Sequence, residues 1–164
     1  MDKVNDAFHQ AYTGESKAAL RLKIYAKKAD QEGMPQMAKL FRVISFSEEI
    51  HGERALRMLR EIKSTEENLK ASFESETRVA EVAYDQFVKV AAEDNDDAAM
   101  LVFAQSKDVE DVHAKLYKEA MGHLMEDRET TYYVCQTCGY VSDGVLPDLC
   151  PVCSADKDKF VEIK

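Results

Sequence analysis

The sequence predicts an all-α four-helix bundle followed by a small β-rich module held by cysteines. Three observations predict it. From Val4 to about Asp127 apolar residues recur every three to four positions, with short breaks at Gly33-Met-Pro35, Ser64-Thr-Glu-Glu67 and Asp94-Asn-Asp-Asp97. Beyond Arg128 the texture changes to Tyr132-Tyr-Val, paired cysteines, Gly139, Gly144, Pro147 and Pro151, the composition of short strands and tight turns. Two Glu-x-x-His pairs, Glu48 with His51 and Glu110 with His113, fall on apolar helix faces. The expected domains are residues 1–127 and 130–164.

Each helix shows its own stripe. The first carries Phe8, Ala11, Glu15, Ala18, Leu22, Tyr25 and Ala29. Pro35 suits the first turn of the second, whose stripe is Met37, Phe41, Ile44, Glu48, His51, Ala55, Met58 and Ile62. Ser64 and Glu67 form a capping box for the third, with Leu69, Phe73, Glu76, Val79, Ala83, Phe87 and Val90 on its face. The fourth presents Ala99, Phe103, Ser106, Glu110, His113, Leu116, Ala120 and Leu124. Short breaks make neighbouring helices antiparallel. The seven methionines read as core filler, and His9 and His123 lack partners at ligand spacing and read as surface.

A chain of 164 residues can fill one core and carry a small appendage. With a net charge of -9 and no basic stripe, nucleic acid and anionic membranes are poor partners. The polar start Met1-Asp-Lys-Val-Asn-Asp lacks a signal-peptide core, and no run of about 18 apolar residues follows. The expected location is cytoplasmic. There, four cysteines confined to two C-x-x-C pairs point to metal ligation over disulfides.

The helical part contains an internal repeat. Ala11-Tyr-Thr-Gly-Glu15-Ser aligns with Ser72-Phe-Glu-Ser-Glu76-Thr, and Glu48-Glu-Ile-His51 aligns with Glu110-Asp-Val-His113. Two helical hairpins are thus copies, offering Glu15, Glu48 and His51 from one and Glu76, Glu110 and His113 from the other. One Glu-x-x-His pair alone is usually solvated surface. Four carboxylates at the middle of apolar faces are costly unless compensated. Two divalent cations balance four carboxylates, and two neutral imidazoles complete the shell. Such oxygen-rich donor sets with one imidazole per metal suit iron or manganese better than zinc or magnesium, and the pattern is that of ferritin-like di-metal bundles.

In the tail, Cys135-Gln-Thr-Cys138-Gly139-Tyr140 and Cys150-Pro151-Val-Cys153 make two knuckles whose four thiolates form a tetrahedral site. A structural zinc ribbon uses the same spacing. With Asp156-Lys-Asp-Lys-Phe160 following, the order resembles rubredoxin, which favours one iron, zinc being the alternative. About 35 residues are too few to fold on apolar burial, so the metal also determines the fold.

A ferritin-like domain followed by a rubredoxin-like tail resembles the rubrerythrin family over essentially the whole chain. The resemblance implies a non-haem iron protein that reduces hydrogen peroxide to water, with electrons passed from NAD(P)H by a separate reductase, or by rubredoxin, through the tail iron to a di-iron site. It implies Cys135, Cys138, Cys150 and Cys153 as ligands of the single iron. The iron pair falls to Glu15, Glu48, His51, Glu76, Glu110 and His113, with Glu48 and Glu110 bridging and Glu15 and Glu76 terminal. It also implies a homodimer or larger assembly, since in the family one subunit's tail iron lies near another's di-iron site.

Two positions depart from the family pattern. The second helix-three glutamate, three residues after Glu76, is Val79, so the seventh ligand is absent; in the family that glutamate exchanges with the histidine equivalent to His51 as the iron changes oxidation state. On an α-helical pitch neither Glu74 nor Glu81 shares the face of Glu76. The tyrosine expected seven residues after the helix-one ligand is Leu22, although Tyr84 keeps its place in helix three. Tyr84 is a candidate proton donor to a ligand carboxylate, an ordinary buried tyrosine being the plainer reading. A fixed six-ligand site makes a ferritin-like O2-dependent oxidase or ferroxidase the second reading, and a non-catalytic metal-binding or electron-transfer protein the third.

Overall fold

The computed structural model describes residues 3–122 and 129–163. By contacts the chain divides into two compact units, with the division between Lys63 and Ser64. The predicted end of the last helix at Asp127, with His123, Leu124 and the boundary at 127, lies outside the described residues.

The first unit is a hairpin of α1 (Lys3–Gln31) and α2 (Pro35–Leu59). Gly33 turns the chain at φ 72°, and Met34 N–H closes on the Ala29 carbonyl at 2.9 Å. Pro35 opens α2, where its missing N–H costs nothing. The seam between the helices is built of small residues: Ala19, Ala26, Ala29, Ala38 and Ala55 are buried, and Ser45 Oγ donates to the Ala19 carbonyl at 2.8 Å. Such residues let two backbones approach closely. They also leave the larger apolar side chains beside the seam, among them Tyr25, Met37, Ile44 and Met58, exposed. Helix α2 ends in a left-handed Arg60 (φ 56°), with Glu61 N–H bonded to the Leu56 carbonyl.

The second unit begins at the capping box. Ser64 Oγ accepts from Glu67 N–H while the Glu67 carboxylate accepts from Ser64 N–H. Helix α3 (Thr65–Arg78) continues through a π-helical turn, Val79–Tyr84, into α4 (Asp85–Glu93). After a left-handed Asn95 (φ 55°), α5 (Asp97–Gly122) returns, its first turn capped by Asp96 Oδ1 on Ala99 N–H at 2.9 Å. Tyr84, Phe87 and Phe103 pack against one another edge-on or tilted.

The π turn changes one sequence expectation. Its residues, Val-Ala-Glu-Val-Ala-Tyr, contain no glycine or proline that would mark an interruption. Widening the turn advances the buried face by about one residue, so Ala80 and Ala91 are buried while Val90, predicted for the core, is 55% exposed. Glu81 therefore does not sit on a plain α-helical pitch relative to Glu76, yet it is exposed all the same.

A three-stranded antiparallel sheet follows, in the order β2 (Val141–Asp143), β1 (Tyr132–Cys135), β3 (Phe160–Ile163). Its register pairs Cys135 with Phe160 and Val134 with both Val141 and Val161. The architecture is thus the predicted one, mainly helical with a small C-terminal strand region. No described helix is long and apolar enough to cross a membrane.

Candidate metal centres

The four cysteines converge from two equivalent turns. Strand β1 delivers Cys135, and Gly139 N–H returns to the Cys135 carbonyl at 2.9 Å; in the second turn Ser154 N–H returns to the Cys150 carbonyl, also at 2.9 Å. Gly139 (φ 87°) and Ser154 (φ 58°) both take left-handed conformations, which lets each turn fold back on its first cysteine. The sulfurs face one another, with Cys135 to Cys153 at 3.8 Å and Cys138 to Cys150 at 3.6 Å, and none is in a disulfide.

Electrostatics in this cluster pull in opposite directions. Burial raises the thiol pKa values, and for Cys138 and Cys153 it prevails. For Cys135 burial is outweighed by the N–H groups of Cys138 and Thr137 and by neighbouring thiols, which bring it down to about 7. Four packed sulfurs cannot all ionise without a cation among them. The donor set fits one tetrahedral thiolate-bound metal.

In the first unit, Glu15 on α1 meets Glu48 and His51 on α2, every donor atom within 4.8 Å of the others. Gly52 lies against Tyr12 and Glu15, the close approach that brings α1 to the site. His51 Nδ1 is 3.0 Å from Glu48 Oε2 and 4.0 Å from Glu15 Oε1. A hydrogen bond with Glu48 holds the Glu15 pKa above the usual carboxylate range, with burial adding to it. Two carboxylates that bond to each other need a proton between them, where a cation would otherwise stand.

The second unit repeats this arrangement. Glu76 on α3 meets Glu110 and His113 on α5, again within 4.8 Å. His113 Nδ1 is 3.0 Å from Glu110 Oε2. Burial, then the hydrogen bond and charge of Glu110, push Glu76 up to about 7. Each trio is only partly buried, His51 being 49% exposed and His113 27%. The predicted interior position is therefore not reached inside either hairpin alone, because a two-helix hairpin has a single seam and the trio lies beside it.

One contact has no forerunner in the sequence reasoning. His113 Nε2 lies 3.4 Å from the carbonyl oxygen of Gly139, the residue after Cys138. A carbonyl only accepts, so the contact is a hydrogen bond when Nε2 carries the hydrogen, the tautomer that would leave Nδ1 free for a metal held by the carboxylates. Metal-binding histidines are held in this way by their second nitrogen. The C-x-x-C-G spacing marked Gly139 as a turn, but nothing in it pointed to helix α5. His51 has no such contact among the described residues.

The structure thus gathers the predicted residues into three groups: Glu15, Glu48 and His51; Glu76, Glu110 and His113; and the four cysteines. Tyr84 packs edge-on against Phe87 and at a tilt against Phe103, and no hydrogen bond joins its hydroxyl to a carboxylate of either trio among the described residues.

Comparison with known proteins agrees over both parts. The family model described as rubrerythrin matches residues 6–121, and that of the rubrerythrin rubredoxin-like domain matches residues 133–161. Rubrerythrin-2 of Clostridium acetobutylicum is 27% identical over 94% of each chain. Rubrerythrin of Porphyromonas gingivalis is 30% identical, covering 94% of this chain and 86% of its own. Among solved structures, nigerythrin in a partially reduced state superposes with a TM-score of 0.61 at 26% identity, over 97% of this chain and 86% of that one.

Proposed function

Because the chain belongs to the rubrerythrin family, we propose that it reduces hydrogen peroxide to water at a di-iron site fed through its own cysteine-bound iron. Proteins of this family are di-iron oxidoreductases with a rubredoxin-like domain and a role in oxidative stress. The reading assigns residues 1–127 to the peroxide-reducing part and residues 130–164 to electron delivery. A reductase drawing on NAD(P)H supplies the electrons in the cytoplasm.

The observation that carries this reading is the 3.4 Å contact between His113 and Gly139, which joins the cysteine cluster to a ligand of the second trio. Peroxide takes up two electrons and two protons and leaves as two waters. When bound, the iron pair supplies one electron per iron and the Lewis acidity that lowers the barrier to O–O cleavage. The chain's residues do the rest. Glu48 and Glu110 would be the carboxylates the two irons share, Glu15 and Glu76 would each hold one iron, and the imidazoles of His51 and His113 would add one nitrogen to each. Glu76, pushed up to about 7 by burial and by Glu110, would release its proton when a metal binds. The covalent tail keeps the donor at high local concentration.

Val79 favours a second reading. Without a carboxylate at that position His51 would stay a ligand in both oxidation states, and an O2-dependent oxidase would become competitive. Iron counting tests the assignment of ligands. Wild type should bind three irons per chain, Glu48→Ala with Glu110→Ala should retain one, and Cys138→Ser should retain two. Wild type that binds a single iron overturns the di-iron assignment.

A further inference from the structure

We propose that the cysteine cluster is a second site of reaction with hydrogen peroxide, at which excess peroxide closes two disulfides, Cys135 to Cys153 and Cys138 to Cys150. This rests on the reading above only in taking peroxide as the oxidant that reaches the protein. It adds a reaction that needs neither the carboxylate trios nor an outside electron donor.

The pairing follows from where each sulfur lies. Both sulfur–sulfur contacts with hydrogen-bond geometry run from one knuckle to the other, at 3.8 Å for Cys135 with Cys153 and 3.6 Å for Cys138 with Cys150. A disulfide stands at roughly 2.05 Å, so small side-chain rotations close each gap. Backbone N–H groups point at the sulfurs from within their own knuckle: those of Thr137 and Cys138 at Cys135, that of Tyr140 at Cys138 and that of Ala155 at Cys153. Held from their own side, the sulfurs face the opposite knuckle.

Exposure divides each pair in the same way. Cys138 and Cys153 are partly exposed, while Cys135 and Cys150 are only 1% and 2% exposed. Peroxide therefore meets one sulfur of each pair, and the buried sulfur behind it completes the bond. The Cys153 thiolate attacks one peroxide oxygen, the O–O bond breaks, and the other oxygen leaves as hydroxide, which takes a proton from solvent. The Cys135 thiolate then attacks the sulfenic acid on Cys153. The S–S bond forms, the S–O bond breaks, and the hydroxyl leaves as a second water after taking a solvent proton. Cys138 and Cys150 follow the same course. Each pair gives two electrons to one peroxide, and a metal held by these thiolates is released. Because both bonds join one knuckle to the other, a thiol reductant that reopens them returns all four ligands to one place.

The test treats the full-length, iron-loaded protein with excess peroxide, alkylates the remaining thiols and cleaves the chain before aspartate. Cleavage at Asp143 and Asp148 puts Cys135 and Cys138 in one fragment and Cys150 and Cys153 in another. The red absorbance should be lost, no cysteine should be alkylated, and the two fragments should be joined, with tandem mass spectra assigning Cys135 to Cys153 and Cys138 to Cys150. Separate fragments with a disulfide inside each C-x-x-C, a bond from Cys135 to Cys150, or four alkylated cysteines would overturn the proposal. Glu48→Ala/Glu110→Ala should give the same linkage, with one peroxide consumed per disulfide. A wild type that turns over excess peroxide while its cysteines stay free overturns this proposal and leaves the peroxidase reading standing. Linked cysteines in a wild type without turnover do the reverse. Dithiothreitol, then iron and reoxidation, should restore the red absorbance; sulfinic or sulfonic acids, which a thiol does not reduce, would leave it lost and count against the disulfides.

Discussion

His113 Nε2 lies 3.4 Å from the Gly139 carbonyl, so the backbone of a cysteine knuckle reaches the histidine of the second carboxylate trio. That contact links the cysteine cluster to the trio of Glu76, Glu110 and His113. Gly139 can hold its carbonyl there because it adopts φ 87° without a side chain.

Replacing Gly139 by Ala tests that link. The added Cβ would meet only Val109 Cγ1 at 3.8 Å, an ordinary contact, so the penalty is conformational, about 1–2 kcal/mol. Iron content should remain that of wild type. Stopped-flow reduction of the dinuclear iron through the cysteine-bound iron should slow about tenfold, the effect of roughly 1.4 kcal/mol on a barrier. An unchanged transfer rate would show that the contact has no part in delivery.

The cysteine module should depend on its metal for folding. It buries little apolar surface: Val161 and Ile163 of β3 are exposed, and among its described residues only Cys135 and Cys150 are buried. Removing the metal with a chelator, or substituting Cys138 by Ser, should abolish the visible absorbance and unfold residues 130–164, while the helical circular dichroism persists. Structural four-ligand metals contribute on the order of 10 kcal/mol to such modules. A tail that stays folded without metal contradicts this.

Acidity should act on the metal-free protein with an unusual sign. Burial and Glu110 raise Glu76 from 4.5 to about 7 in the folded state, and Glu15 is raised as well. A carboxyl with a raised folded pKa binds more protons folded than unfolded, so stability falls as pH rises through the window from about 4.5 to 7. Loaded with metal, the carboxylates are held ionised and that slope should disappear or reverse. Thermal unfolding of both forms between pH 4.5 and 7.5 checks it; a metal-free protein that gains stability across that window would refute the shared-proton account.

Val79→Glu restores a carboxylate three residues after Glu76, at the first residue of the π turn. If ligand exchange opposite His51 accelerates peroxide reduction, the substituted protein should turn over peroxide faster than wild type under anaerobic conditions, and its O2 reactivity should not rise in proportion. An unchanged rate means that the exchange does not limit this enzyme.

Most of the architecture was legible because it rests on local rules. The stripes located the helices, Pro35 and the Ser64/Glu67 box fixed two starts, and paired cysteines with flanking glycines predicted the knuckles. The clustering of the candidate ligands was legible for a related reason: repeat symmetry singles out acids and histidines that no solvated face would need to duplicate. What escaped was non-local or marginal. The π turn at Val79–Tyr84 leaves no composition signal, because one widened turn costs little and any residue fits it. The Gly139 contact joins positions 26 apart, one on α5 and one in the first cysteine knuckle. Nor does any stripe show that a hairpin seam of alanines leaves the larger residues outside; that follows from how closely α1 and α2 approach.

The central claim is that peroxide is reduced at a dinuclear iron site supplied through the cysteine iron. It is tested most directly by loading the protein with iron, reducing it fully without oxygen, and mixing it in separate experiments with stoichiometric hydrogen peroxide and with O2 while following the ferric absorbance. The account predicts reoxidation of both centres by peroxide at least ten times faster than by O2, two electrons being consumed per peroxide, and loss of the fast phase in Glu48→Ala/Glu110→Ala. Faster reoxidation by O2, or a fast peroxide phase that survives without those two glutamates, would contradict it.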